Sequence, residues 1–193
     1  MLSCYMDESS SEKEKEPAAC VAGYLASGKQ WGNFTKKWNA IVEPELVEIF
    51  HATELETEIG RKGTVYENWS LGKRKNFQAS LIEVITNNTL RDFGVGMYYS
   101  TYEKVMTPER RQRWGSIYAL CARFCMIHAT AWAHTAKFTK APNFFYEDGG
   151  GYCKDIMEAH GYLCTSRGDE RLLSTQHACI SAKEPAISSV TSR

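Results

Sequence analysis

Hydrophobic and polar positions at the start of the chain alternate with a period of two. Cys4 and Met6 fall on one side and Tyr5 and Asp7 on the other, which predicts a short strand from Leu2 to Asp7. The polar, charge-alternating stretch SSSEKEKEP reads as a solvated hairpin loop. Ala18 to Ser27 is apolar almost throughout, the pattern of a strand covered on both faces and lying inside a sheet. From Gln30 to about Val42, Trp31, Phe34, Trp38 and Ile41 recur at helical spacing and predict an amphipathic helix with both tryptophans on its buried stripe.

In FHATEL, Thr53 and Glu56 have the spacing of a capping box that opens a short helix ending near Gly60. That gives Thr53 and Glu56 a structural reason, but not His51 or Glu54. Ser70 caps a helix to about Asn87, with Phe77, Leu81 and Ile85 on one stripe. Phe93, Val95, Met97 and Tyr99 alternate with Gly94, Gly96 and Tyr98, so a helix is expected to pack closely on the glycine side of that strand. Thr107 and Pro108 open one long helix to about Lys137, apolar at Trp114, Ile117, Tyr118, Cys121, Phe124, Cys125, His128 and Trp132. His128 reads as a core histidine, and its six-residue separation from His134 does not suit a helical metal pair. Pro142 breaks that helix before a strand at Phe144 to Tyr146. A short helix at Lys154 to His160 and a strand at Ala178 to Ser181 follow.

The order of elements predicts an α/β fold, a mixed sheet with helices packed around it. With 193 residues, 43% of them hydrophobic, the chain can bury a core of its own, and no linker or repeat divides it, so a single domain is expected. Net charge is zero, so no global field steers the chain to nucleic acid or to a membrane. No stretch approaches the roughly 18 apolar residues of a membrane span and no export signal opens the chain, so a cytoplasmic protein with no membrane partner is expected. Seven cysteines without a CxxC pair fit reduced thiols. Cys153, His160 and Cys164, or Cys121, Cys125 and His128, lack the compact spacing of structural zinc, and no zinc is expected.

Two strands end in acid pairs, Asp7–Glu8 in CYMDES and Glu147–Asp148 in FFYEDG. If those strands are parallel neighbours, the acids converge at one sheet edge and need protons or a divalent cation to offset their repulsion. Oxygen ligands of this kind suit Mg²⁺ or Mn²⁺, ions that can clamp the attacking and leaving oxygens of a phosphodiester. Alternation lets one acid of each pair face a given side, so Asp7 with Glu147 or Asp148 is the candidate set. The plainer alternative is that acids simply end strands at turns. Two basic clusters follow helix starts: Lys73, Arg74 and Lys75 after Ser70, and Arg110, Arg111 and Arg113 after Thr107 and Pro108. They are candidate phosphate contacts, with ordinary solvated surface as the alternative.

This order, with CYMDES, FHATEL and FFYEDG at their places, resembles the bacterial family called domain of unknown function 3800, which opens with a YIDESG-like motif. That family is similar to the ribonuclease H-like superfamily. The resemblance covers residues 2–184. It implies a ribonuclease H-like sheet and a metal-dependent phosphodiester site with Asp7 and Glu147 as catalytic metal ligands and Asp148 as a further ligand. Glu8, His51 and Glu54 would then orient ligands or substrate. DESS replaces the family's DESG at Ser10, and Thr191 stands where an LQ-x-AD-like helix would bring a final acid. The expectation is therefore a Mg- or Mn-dependent nuclease or phosphodiesterase acting on nucleic acid, its activity in question, with 185–193 an extended or disordered tail. The alternatives are a non-catalytic nucleic-acid-binding or regulatory module and a nonfunctional product.

Overall fold

The computed structural model describes residues 1–10, 16–148 and 177–181. In chain order the elements are β1 (Leu2–Ser10), β2 (Ala18–Ser27), α1 (Gly28–Val42), a 3-10 turn (Glu43–Glu45), α2 (Ala52–Glu56), α3 (Glu58–Arg61), α4 (Leu71–Asn88), β3 (Arg91–Tyr98), α5 (Tyr99–Val105), α6 (Pro108–Trp114), α7 (Ile117–Thr135), β4 (Asn143–Asp148) and β5 (His177–Ser181). The helix expected at Lys154 to His160, the set Cys153, His160 and Cys164, and the tail at 185–193 lie outside the described residues. No described helix is long and apolar enough to cross a membrane.

The fold is α/β around one mixed sheet of order β3-β2-β1-β4-β5. β1, β2 and β3 are antiparallel, whereas β4 runs parallel to β1 and β5 parallel to β4. A short connection suffices for the β1–β2 hairpin, while the parallel entry of β4 needs a crossover, which the helices after β3 supply. β2 lies inside the sheet as expected, and among the described residues its two faces differ: Ala19, Val21 and Leu25 are buried, whereas Ala22 and Tyr24 on the other face are exposed. β1 obeys the same period, with Leu2, Cys4 and Met6 buried. These residues meet Phe144 and Tyr146 of β4 and the apolar side of α7 in a single core.

Five expectations in this part of the chain are corrected. β1 does not stop at Asp7, because its ladder with β2 continues to Ser10↔Ala19. The helix from Pro108 is two helices: Gly115 takes φ +80, a conformation that favours glycine, and Ser116 then caps α7 by accepting from the Ala119 amide at 3.3 Å. α7 packs on the bulky side of β3, where Phe93 meets Trp132, and the glycine side is the exposed one. His128 is also exposed, not a core histidine, since Cys121, Cys125 and Ala129 take the inward positions of α7. Tyr99 opens α5 and does not extend β3.

The chain divides into two compact units, one comprising Met1–Gly28 and the chain from Leu90 on, the other Lys29–Thr89. The helical unit is inserted between two neighbouring strands, and no linker composition marks its borders. Its core gathers Val42, Val47, Leu55, Tyr66, Phe77 and Leu81, with Trp38, Phe50 and Trp69 packed against them. The tryptophan stripe of α1 is thus structural, running Trp31, Phe34, Trp38 and Phe50 in successive ring contacts. Ser70 caps α4 as expected, accepting from the Lys73 amide at 3.2 Å. No capping box forms at Thr53 and Glu56: His51 holds the N-cap position of α2 without a side-chain bond, and the Glu56 carboxylate accepts from Gln78 at 3.0 Å.

Candidate active site

The parallel ladder of β1 with β4 pairs Cys4 with Phe144, Tyr5 with Phe145 and Met6 with Tyr146. One residue further along each strand stand Asp7 and Glu147, so the two acid pairs occupy neighbouring positions in the carboxyl-terminal halves of two parallel strands, at the end of β4 and before the last rungs of the β1 ladder. β4 pairs on its other side with β5, Glu147 opposite Ile180 and Asp148 opposite Ser181. The side chains of Glu147 and Asp148 lie outside the described residues.

Asp7 is exposed on the face opposite α7, and its Oδ1 accepts from the Glu8 amide at 2.9 Å. That bond engages Oδ1, and among the described residues Oδ2 accepts no hydrogen bond. Glu8 is half-buried and alternates to the side of Cys4 and Met6. On the Asp7 face, β1, β2 and β3 form an open cleft of about 470 Å³, lined among others by Tyr5, Asp7, Ala22, Tyr24, Asp92 and Gly94. Burial in this setting raises the Tyr5 hydroxyl above its ordinary pKa.

Tyr24 and Asp92 are not among the residues that the sequence pattern singles out. The signal for Asp92 was present in the alternation of β3, which puts Asp92 with Gly94 and Gly96 once Phe93, Val95 and Met97 are assigned to the core. Tyr24 was obscured by the apolar run of β2, which hides its period.

His51 and Glu54 belong to the helical unit, Asp7 to the sheet unit. His51 is exposed at the start of α2. Glu54 is half-buried and close to Tyr66, whose hydroxyl is raised in pKa chiefly by burial and further by the Glu54 charge. The Tyr66 hydroxyl is buried and makes no hydrogen bond among the described residues.

Neither basic cluster stands free. Lys73 pairs with Glu45 at 2.5 Å and lies 4.1 Å from the Trp69 ring centroid. Arg74 turns back to the Leu55 carbonyl at 3.4 Å, an oxygen that Arg61 also reaches at 3.3 Å; Lys75 is exposed. In the sheet unit, Arg110 donates to the Val105 carbonyl at 2.7 Å, and Arg111 donates to the Met106 carbonyl and pairs with Glu103. Arg113 lies over the Trp114 ring. Arg110 and Arg111 thus close off carbonyls at the end of α5, an ordinary use of cations at a helix C-terminus.

Cys4, Cys121 and Cys125 are buried thiols whose pKa values burial pushes up to about 12, 11 and 12. Cys125 donates to the Val21 carbonyl at 3.1 Å. Such thiols are poor thiolate ligands. Among the described residues, no group of three or more His, Cys, Asp or Glu side chains is placed to hold a metal ion. No family model, no curated protein and no solved structure matches the chain.

Proposed function

We propose that this chain is a divalent-metal-dependent nuclease or related phosphodiesterase of ribonuclease H-like fold and of the domain of unknown function 3800 type. Asp7, Glu147 and Asp148 are its metal-ligand positions, Asp7 and Glu147 the catalytic pair. The observation that carries this reading is the parallel β1–β4 register, which brings both acid pairs to one edge of the sheet. Three antiparallel strands extended by two parallel ones agree with the mixed sheet that the resemblance implies.

The donors suit the ion. Carboxylate oxygens are hard ligands of the kind Mg²⁺ or Mn²⁺ takes, and the Glu8 amide steadies the Asp7 carboxylate through Oδ1, so that Oδ2 could serve a cation. A divalent cation at this position supplies charge for the phosphodiester oxygens and lowers the pKa of bound water. Asp7 keeps an open, solvent-reached position suited to a polymer substrate. His51 and Glu54 enter the reading through the resemblance alone.

Thermal melting of wild type and Asp7→Asn in a Mn²⁺ and Mg²⁺ titration tests the proposal. Binding to the folded state should stabilise wild type by about 2.7 kcal/mol at a hundredfold excess over Kd, and Asp7→Asn far less. Metal-dependent cleavage of labelled single-stranded, duplex and hybrid oligonucleotides should vanish in the same variant. Equal stabilisation of both proteins sinks the metal site. Nucleic-acid binding without cleavage in either protein would favour the binding or regulatory module.

A further inference from the structure

The sheet face that carries Asp7 also carries aromatic rings from four adjacent strands. Tyr24 is paired with Tyr5 across β2 and β1, and Tyr5 with Phe145 across β1 and β4, where the two rings stack at 4.8 Å. Asp92 stands opposite Tyr24 on β3, and Tyr98 ends the same face of that strand. Tyr24 is 41% exposed and Tyr98 51%. Beside them the floor formed by the described residues is low: Ala22 and Gly94 face each other across β2 and β3, next to Asp7 on β1.

The charges select what this surface can hold. Asp7 and Asp92 are exposed at the cleft, and among its described lining residues there is no lysine or arginine. A duplex presents phosphates outward and keeps its bases stacked inside, so this rim repels it and the rings find nothing to stack on. A single strand can turn a base inward and leave its phosphates in solvent. Carboxylates then become useful, because an Asp oxygen accepts from the exocyclic amino group of cytosine.

Resting on the nuclease reading of Asp7, we propose that the cleft takes an unpaired base of a single-stranded nucleic acid. Tyr24 is the principal stacking ring, Asp92 accepts from the amino group of the base, and the strand is held through its bases and not its phosphates. The substrate class is therefore single-stranded, with amino-bearing bases preferred at the cleft.

The test is fluorescence anisotropy in EDTA, where metal-dependent cleavage cannot occur, using short labelled oligo-dC, oligo-dT and a duplex of equal length. Wild type should bind oligo-dC most tightly and the duplex least. Tyr24→Phe should retain binding and Tyr24→Leu lose at least about tenfold, the size expected of one stacked base. Asp92→Ala should erase the preference of oligo-dC over oligo-dT. The salt slope should be shallow, about that of one phosphate contact or less. Tyr24→Leu binding like wild type, or a preference for the duplex, overturns the inference, as does capture of a lysine- and arginine-rich peptide with the Tyr24 dependence in place of the oligonucleotide. Because the assay omits metal, it can fail while the Asp7 metal titration succeeds, and the reverse.

Discussion

Tyr5 and Phe145 stack across the parallel β1–β4 ladder with ring centroids 4.8 Å apart and planes at 16°. They stand two residues before Asp7 and Glu147 on the same pair of strands, so the stack locks the register that aligns the two acid positions. Offset-stacked pairs contribute about 0.5 to 1.5 kcal/mol beyond the area they bury. A double-mutant cycle with Tyr5→Leu and Phe145→Leu, read by urea unfolding, should give a coupling energy of that size. Additive single effects would mean that the rings merely lie side by side.

Gly23 and Gly94 lie one residue apart in register on neighbouring strands yet should respond oppositely to alanine. A Cβ at Gly23 would meet the Tyr5 carbonyl oxygen at 2.3 Å and Met6 Cγ at 2.7 Å, backbone and core contacts that cannot both yield. Gly23→Ala should cost roughly 1 to 3 kcal/mol, the range of overpacking, and disturb the strand that carries Asp7. At Gly94 the nearest neighbour is Ala22 Cβ at 3.7 Å, ordinary contact, so Gly94→Ala should be within about 0.5 kcal/mol of wild type or slightly stabilising. Chemical denaturation of the two variants separates them.

The sheet and most helices were legible because local period and tertiary burial agree there. Ser70 and Thr107 cap as their positions imply, accepting from the amides of Lys73 and Arg110. Failures came where a local rule met a competing demand. The apolar run Ile117 to Trp132 suggested continuity with Pro108 to Trp114, but Gly115 at φ +80 interrupts the helix, with the Ala119 methyl group close to the position of an added Cβ. Phe124, counted on the buried stripe of that run, is 40% exposed. Of the site, the meeting of the two acid pairs follows from topology, which hairpin length and crossover length constrain. The cleft residues Tyr24 and Asp92 depend on which face of the sheet is covered, and periodicity alone does not decide that.

The buried thiols should make the protein alkali-sensitive. For Cys4, Cys121 and Cys125 the folded state holds the proton more tightly than the unfolded chain, whose thiols titrate near 9.0. Below that pH both states are protonated and stability is independent of these groups. Above it the unfolded chain ionises first, so stability falls as pH rises from about 9 towards 11 to 12. Cys125→Ala should lessen this slope in urea titrations taken at successive pH values, whatever it costs at neutral pH. Native-state labelling by a thiol reagent should likewise be slow at these three positions. An unchanged slope in Cys125→Ala would mean that its thiol is no harder to ionise in the folded protein than in the unfolded chain.

The run Lys73, Arg74, Lys75 should break into three distinct behaviours. Lys73 pairs with Glu45 and covers Trp69, but the pair is exposed, so Lys73→Gln should cost about 0.5 to 1 kcal/mol and less as salt is added. Arg74 is half-buried with Nε out of solvent and one long hydrogen bond to Leu55, and its guanidinium lies where Arg61 also converges. Arg74→Gln should cost about 1 kcal/mol through lost packing and the lost bond, with little salt dependence. Lys75 makes no hydrogen bond or ion pair among the described residues, and Lys75→Gln should stay within about 0.5 kcal/mol. The same geometry limits any phosphate role. With Lys73 and Arg74 engaged inside the helical unit, neutralising all three should reduce the salt slope of oligonucleotide binding by no more than about one phosphate contact, that of Lys75. A loss of three contacts' worth of slope would show that Lys73 and Arg74 leave their protein partners for the nucleic acid.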